Sequence, residues 1–83
     1  MSQEKLPVSD FYTVLDQEVI FKTPKWLEAV VIVESFGKRS ITIYMWMFDS
    51  KTNKWKRKQK LSLRNRADWE KIKSAVDRMF GKL

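Results

Sequence analysis

A chain of 83 residues with no cysteine and no histidine excludes a disulfide framework, thiolate chemistry, the usual general base and the commonest metal ligand. One small domain of this length hides about two thirds of the surface its unfolded form exposes, so a partner subunit would add to its stability. The net charge of +7 is concentrated. Residues 37 to 66 carry ten basic side chains against the single acid Asp49, whereas the other 53 positions hold seven basic and nine acidic residues, and such a footprint points to a polyanionic partner.

No apolar run approaches the roughly 20 residues that span a bilayer, and "MSQEKLPVSD" lacks the charged-then-apolar order of a signal peptide. The expectation is a soluble intracellular protein, cytoplasmic or nucleoid-associated (nuclear in a eukaryote), with no membrane partner. Neither an internal repeat nor a low-complexity linker divides the chain. Residues 1–16 read as a partly ordered extension and residues 17–83 as one domain. Within the extension, "SDFYTVLD" fits a short helix opened by Ser9 and an extended lead-in equally well.

"EVIFKT" reads as a strand stopped by Pro24, which has no ladder donor and favours a turn. "WLEAVVIVESF" follows as a strand rich in β-branched residues. Gly37 marks a tight turn into "KRSITIYMWMF", and the polar "DSKTNK" closes a second hairpin into "WKRKQKLSL". Trp69, Ile72, Val76, Met79 and Phe80 then recur at helical spacing. Asn65 suits the N-cap, Asp68 the positive end of the helix dipole and Gly81 the stop. The fold class expected is α+β, a four-stranded antiparallel meander followed by one amphipathic helix that covers one face of the sheet.

Period-two alternation divides the third strand into Ile41, Ile43, Met45 and Met47 on one side and Ser40, Thr42, Tyr44, Trp46 and Phe48 on the other. The first set is expected to lie under the helix with Leu61 and Leu63. Lys54, Lys56, Lys58, Lys60 and Ser62 then share the opposite face with Tyr44, Trp46 and Phe48. Trp55, Arg57 and Gln59 have the core parity but lie near the hairpin end, where a twisted ribbon exposes both sides. Aromatic rings beside a cation track suit single-stranded nucleic acid, because bases stack on rings at about 1–3 kcal/mol each while phosphates follow the cations. The bland alternatives are a solvated or aggregation-resistant lysine edge, and a second core or dimer seam made by the three aromatics. Met45, Met47 and Trp69 read as core fillers.

These residues also carry a family resemblance. "VVIVESFGKRSITIYMWMFDSKTNKWKRKQKLSLRNRADWEKIKSAV", residues 30 to 76, resembles the single-stranded-DNA-binding domain of the transcriptional coactivator PC4 family. The similarity lies in a strand ending at Phe36, then Gly37 and Lys38, the Ile41/Ile43 strand running into aromatics and Asp49, a basic hairpin, "LSL" at 61 to 63, and "DWEKIK" opening the helix. Some archaeal single-strand-binding proteins of similar size look alike. The resemblance implies a curved sheet dimerising through its helices, with β-ridges that channel single-stranded DNA. It aligns the family's exposed Phe with Phe36, a basic residue with Lys38, a late-strand aromatic with Trp46 or Met47, and the basic hairpin positions with Trp55 to Lys58. Tyr44 stands where an arginine is expected, Lys60 stands where a glycine is, and one extra residue separates Leu63 from Trp69.

The function expected is therefore single-stranded DNA binding with little sequence preference, in transcription, replication or repair, by a homodimer in which RNA and the transcription machinery are further candidate partners. Phe36, Tyr44, Trp46 and Trp55 are expected at bases, and Lys38, Arg39, Lys54, Lys56, Arg57, Lys58 and Lys60 at phosphates. Trp69, Ile72, Val76, Met79 and Phe80 are expected in the helix's core or dimer contact. The rivals are a duplex-binding chromatin protein that inserts an apolar wedge into a groove and a protein-interaction module. No cofactor or metal is expected. The ten acids form no recognisable pair or ligand spacing, so nothing points to an enzyme.

Overall fold

The structure is a computed structural model that describes residues 6–83. Four strands, β1 (Thr13–Lys22), β2 (Trp26–Ser35), β3 (Lys38–Asp49) and β4 (Lys54–Leu63), precede one helix, α1 (Arg66–Phe80). The strands pair antiparallel in chain order, a meander with β1 and β4 at the edges. This is the α+β architecture expected. The ambiguous lead-in resolves as a turn at Ser9–Tyr12, closed by the Tyr12 N–H on the Ser9 carbonyl, followed by strand from Thr13. β1 thus begins inside the stretch assigned to the extension, whose residues 1–5 lie outside the described residues. Among the described residues no helix is long and apolar enough to cross a membrane.

Local chemistry accounts for each reversal. At the β1–β2 turn Thr23 Oγ1 accepts the backbone N–H groups of Lys25 and Trp26 at 3.2 and 2.8 Å, and the Thr23 N–H donates to the Trp26 carbonyl at 2.7 Å. At the β3–β4 turn Asp49 Oδ1 accepts the Lys51 N–H at 2.9 Å, an Asx-type reversal, and Asn53 takes a left-handed φ of 58° that asparagine tolerates. The Asn65 side chain caps α1 by accepting the Asp68 N–H at 2.8 Å. Gly81 ends the helix in an ordinary right-handed conformation, its N–H bonded to the Asp77 carbonyl.

The core sits on the side of the sheet opposite to the one expected. Leu27, Ala29, Val31 and Val33 of β2 and Thr42, Tyr44 and Trp46 of β3 are buried, and Leu6 closes over them with Val8, Tyr12 and Trp55 packed alongside. Register explains the fit. Ala29 lies across from Tyr44 and Leu27 across from Trp46, so the small residue leaves room for a ring. The Tyr44 and Trp46 rings stack at 5.0 Å and 11°. Each fully buried large side chain contributes about 1.5–3 kcal/mol. Thr42, also fully buried, keeps its hydroxyl satisfied by Ser62 Oγ at 3.3 Å.

The other side of the sheet remains open except at Leu63, which is buried beside the helix start. Ile43, Met45 and Met47 are only half-buried, and Ile41 and Leu61 are exposed. The helix does not cover this side: it approaches only β4 and none of its residues is fully buried. Trp69 and Ile72 are half-buried, while Val76, Met79 and Phe80 are exposed, so the stripe expected to form core lies largely in solvent in the single chain. A cleft of about 460 Å³ separates the helix start from the sheet, lined by Val30, Ile41, Ile43, Leu63 and Trp69 among others.

Candidate nucleic-acid interface

The β2–β3 turn presents an aromatic ring to solvent. Ser35 pairs with Lys38, which leaves a two-residue loop of Phe36 (φ 53°) and Gly37 (φ 74°). Positive φ at both central residues is the type I′ pattern, whose twist matches a hairpin and whose preferred first residue is Asn or Asp. A phenylalanine in that conformation costs about 1–2 kcal/mol. Phe36 is nevertheless 87% exposed, so neither burial nor backbone preference accounts for it.

A row of side chains continues from that ring. Phe11, 61% exposed, meets Phe36 edge to face at 5.3 Å and Tyr12 edge to face at 5.3 Å. Lys60 Nζ donates to the Tyr12 hydroxyl at 3.1 Å and lies 4.7 Å from the centre of its ring. Phe36, Phe11, Tyr12 and Lys60 thus form consecutive contacts from the β2–β3 turn to β4. Phe11 and Tyr12 carried no assignment in the sequence. Their one local signal is a pair of adjacent aromatics, and the contact that organises them spans 48 residues.

Tyr44 and Trp46 do not belong to this surface. At 2% and 1% exposure they are core, which corrects their placement at bases. Their side of β3 is indeed aromatic, but residues 6–12 occupy it.

The single lysine row is also corrected. The β3–β4 register shifts between Met45 (opposite Gln59) and Trp46 (opposite Arg57), leaving Lys58 as the extra residue of a bulge. Beyond it every side chain changes face. Lys60 and Ser62 stay on the Tyr44 side, whereas Lys56 and Lys54 oppose Met47 and Asp49, and Arg57 and Trp55 move to the side of Trp46 and Phe48. Trp55 is half-buried and edge-on to Phe48 at 5.3 Å and 73°.

Ion pairing further sorts the cations. Arg39 Nε donates to Glu34 Oε2 at 2.9 Å, and Lys56 Nζ to Asp49 Oδ2 at 2.9 Å. Asp49 is held below the ordinary carboxylate range chiefly by that Lys56 hydrogen bond and then by the Lys51 N–H. Lys38, Lys54, Arg57, Lys58 and Lys60 are exposed, and Lys60 and Arg57 lie by register on the side that residues 6–12 cover. Among the described residues no cluster of acids is arranged to hold a metal. The arrangement offers ring faces and cations to a flat, anionic partner. Comparison with family models, with curated proteins and with solved structures finds no match to this chain.

Proposed function

We propose that this chain binds single-stranded DNA with little sequence preference, as a homodimer serving transcription, replication or repair. The observation that carries the reading is Phe36, a bulky residue held in a left-handed turn and almost wholly in solvent. Apart from one edge-to-face contact with Phe11, the strained ring takes no part in the core, and an exposed ring is what an unstacked base requires. Duplex bases are already stacked and gain nothing from it. The ten cations of residues 37 to 66 supply the phosphate attraction, with Lys38 directly after the Phe36 turn and Lys60 on the Tyr12 ring. The resemblance of residues 30 to 76 to the coactivator PC4 family supports the same reading, since it aligns Phe36 and Lys38 with that family's binding positions.

The test is anisotropy of a labelled single-stranded oligonucleotide and of its duplex across a salt series. The single strand is expected to bind more tightly, with log affinity falling at about −0.7 per phosphate contacted, near −3 for about four contacts per subunit. A flat slope removes the electrostatic half of the proposal. Duplex binding of equal strength indicates a chromatin role, tighter binding of an RNA strand changes the ligand, and no binding to any of them turns the exposed rings into a protein interface.

The exposed apolar stripe of the helix supports dimerisation through it. Val76, Met79, Phe80 and Leu83 are all exposed, and the Ile41, Ile43 and Leu61 side of the sheet is uncovered. A second copy covers both at once by two-fold symmetry, the commonest arrangement of soluble oligomers. Phe80→Glu is expected to convert a dimer into a monomer in sedimentation equilibrium, a loss of about 2 kcal/mol or more at a central apolar contact. A dimer that survives the substitution unchanged places the interface elsewhere.

A further inference from the structure

We infer that residues 6–12 are part of the single-strand site, a strap that supplies a second stacking ring, Phe11, and holds Lys60 in place through Tyr12. The inference rests on the proposed single-strand reading and adds to it a segment outside the family-like stretch.

The strap is tied to the sheet mainly by side chains. Its backbone hydrogen bonds are local, Val8 N–H to the Leu6 carbonyl at 2.8 Å and Tyr12 N–H to the Ser9 carbonyl at 3.0 Å, with Phe11 N–H donating to Ser9 Oγ at 3.3 Å. Leu6 is the anchor, 4% exposed in the core cluster. Between that anchor and the first ladder residue, Thr13, the chain sets Phe11 against Phe36 and Tyr12 against Lys60. An exposed phenylalanine leaning on another exposed phenylalanine buries little area for either. Two adjacent exposed rings, Phe36 and Phe11, instead offer surface to two successive bases, and the lysine held on Tyr12, the next ring in the row, suits the phosphate chain beside them. Tyr12 limits the rotamers open to Lys60, so less freedom is lost when a phosphate arrives. A strand laid along Phe36, Phe11 and Lys60 contacts chain from both ends of the sequence, and its binding should therefore quiet the strap.

The experiment combines substitutions with hydrogen exchange on the full chain. Phe11→Ala is expected to weaken binding of the labelled single strand about tenfold without changing the salt slope. Tyr12→Phe, which keeps the ring and removes the hydroxyl on Lys60, is expected to weaken it less and to leave the circular dichroism spectrum unchanged. In the unaltered protein, saturating single strand is expected to slow exchange at the amides of Phe11 and Tyr12. That last readout does not depend on whether any variant folds. If Phe36→Asn weakens binding while Phe11→Ala leaves it unchanged, or if the strap amides exchange at the same rate or faster when the strand is bound, the strap is excluded from the site and the single-strand reading stands. If the unaltered protein binds no single strand, both fail together.

Discussion

Replacing Trp46 with Ala is expected to unfold or nearly unfold the protein rather than to produce a folded chain with weak binding. The side chain is 1% exposed, stacked on Tyr44 at 5.0 Å and set opposite Leu27. Large-to-small substitution of a buried aromatic costs about 3–5 kcal/mol, the lost transfer energy plus the cavity left behind. A small domain has only about 5–15 kcal/mol in total, and among the described residues the buried set is short: Leu6, four residues of β2, three of β3, and Leu63. Urea unfolding followed by circular dichroism reads the result as a large fall in midpoint, or as no folded baseline at all. A variant that keeps its midpoint and loses only affinity returns Trp46 to the binding surface and removes the core described here.

The position of Trp46 shows where local sequence signals end. Alternation in β3 separated its two sets of side chains correctly, because period two is a property of the strand itself. Which set faces inward is not written in β3, since Ile41, Ile43, Met45 and Met47 are at least as apolar as Thr42, Tyr44 and Trp46. The choice depends on Ala29 lying across from Tyr44 and on Leu6 arriving from a segment that shows no strand or helix pattern. Both are long-range facts. The same limit applies to β4, where "KWKRKQKLSL" contains no glycine or proline to mark the bulge at Lys58, and one extra residue is enough to exchange the faces of Lys54, Lys56, Trp55 and Arg57.

Features that depend on a few neighbouring residues were legible. Gly37, the "DSKTNK" reversal and the Asn65 cap lie where expected, because turn and cap chemistry acts over about four residues. The apolar stripe of α1 was legible as a stripe, yet its spacing does not say which chain covers it. At the candidate site, the exposure of Phe36 was implied by the family resemblance rather than by local pattern, which ends the strand at that residue, whereas Phe11 entered only through its contact with Phe36. Exposed aromatics are a weak signal in sequence. They become a strong one when the backbone beneath them is strained.

That strain makes Phe36→Asn the most informative substitution, because its effects on stability and on binding are expected to have opposite signs. Asparagine is among the preferred first residues of a type I′ turn, so the change relieves a left-handed penalty of about 1–2 kcal/mol. It also removes the edge-to-face contact with Phe11, worth about 0.5–1.5 kcal/mol. The difference runs from about −0.5 to about +1.5 kcal/mol, centred on a small gain, so the urea midpoint is expected to hold or rise. Binding of a single strand is expected to fall by about tenfold, one stacked base lost, and the salt slope should not move because no cation is altered. A variant more stable but weaker in binding is the signature of a residue kept for function at some expense to the fold. If Phe36→Asn instead lowers the unfolding midpoint well below that of the parent, the Phe11–Phe36 contact is structural and the ring is not free for a base. If stability rises and affinity is untouched, the strained aromatic serves some other partner, and the cations of β4 bind nucleic acid without it.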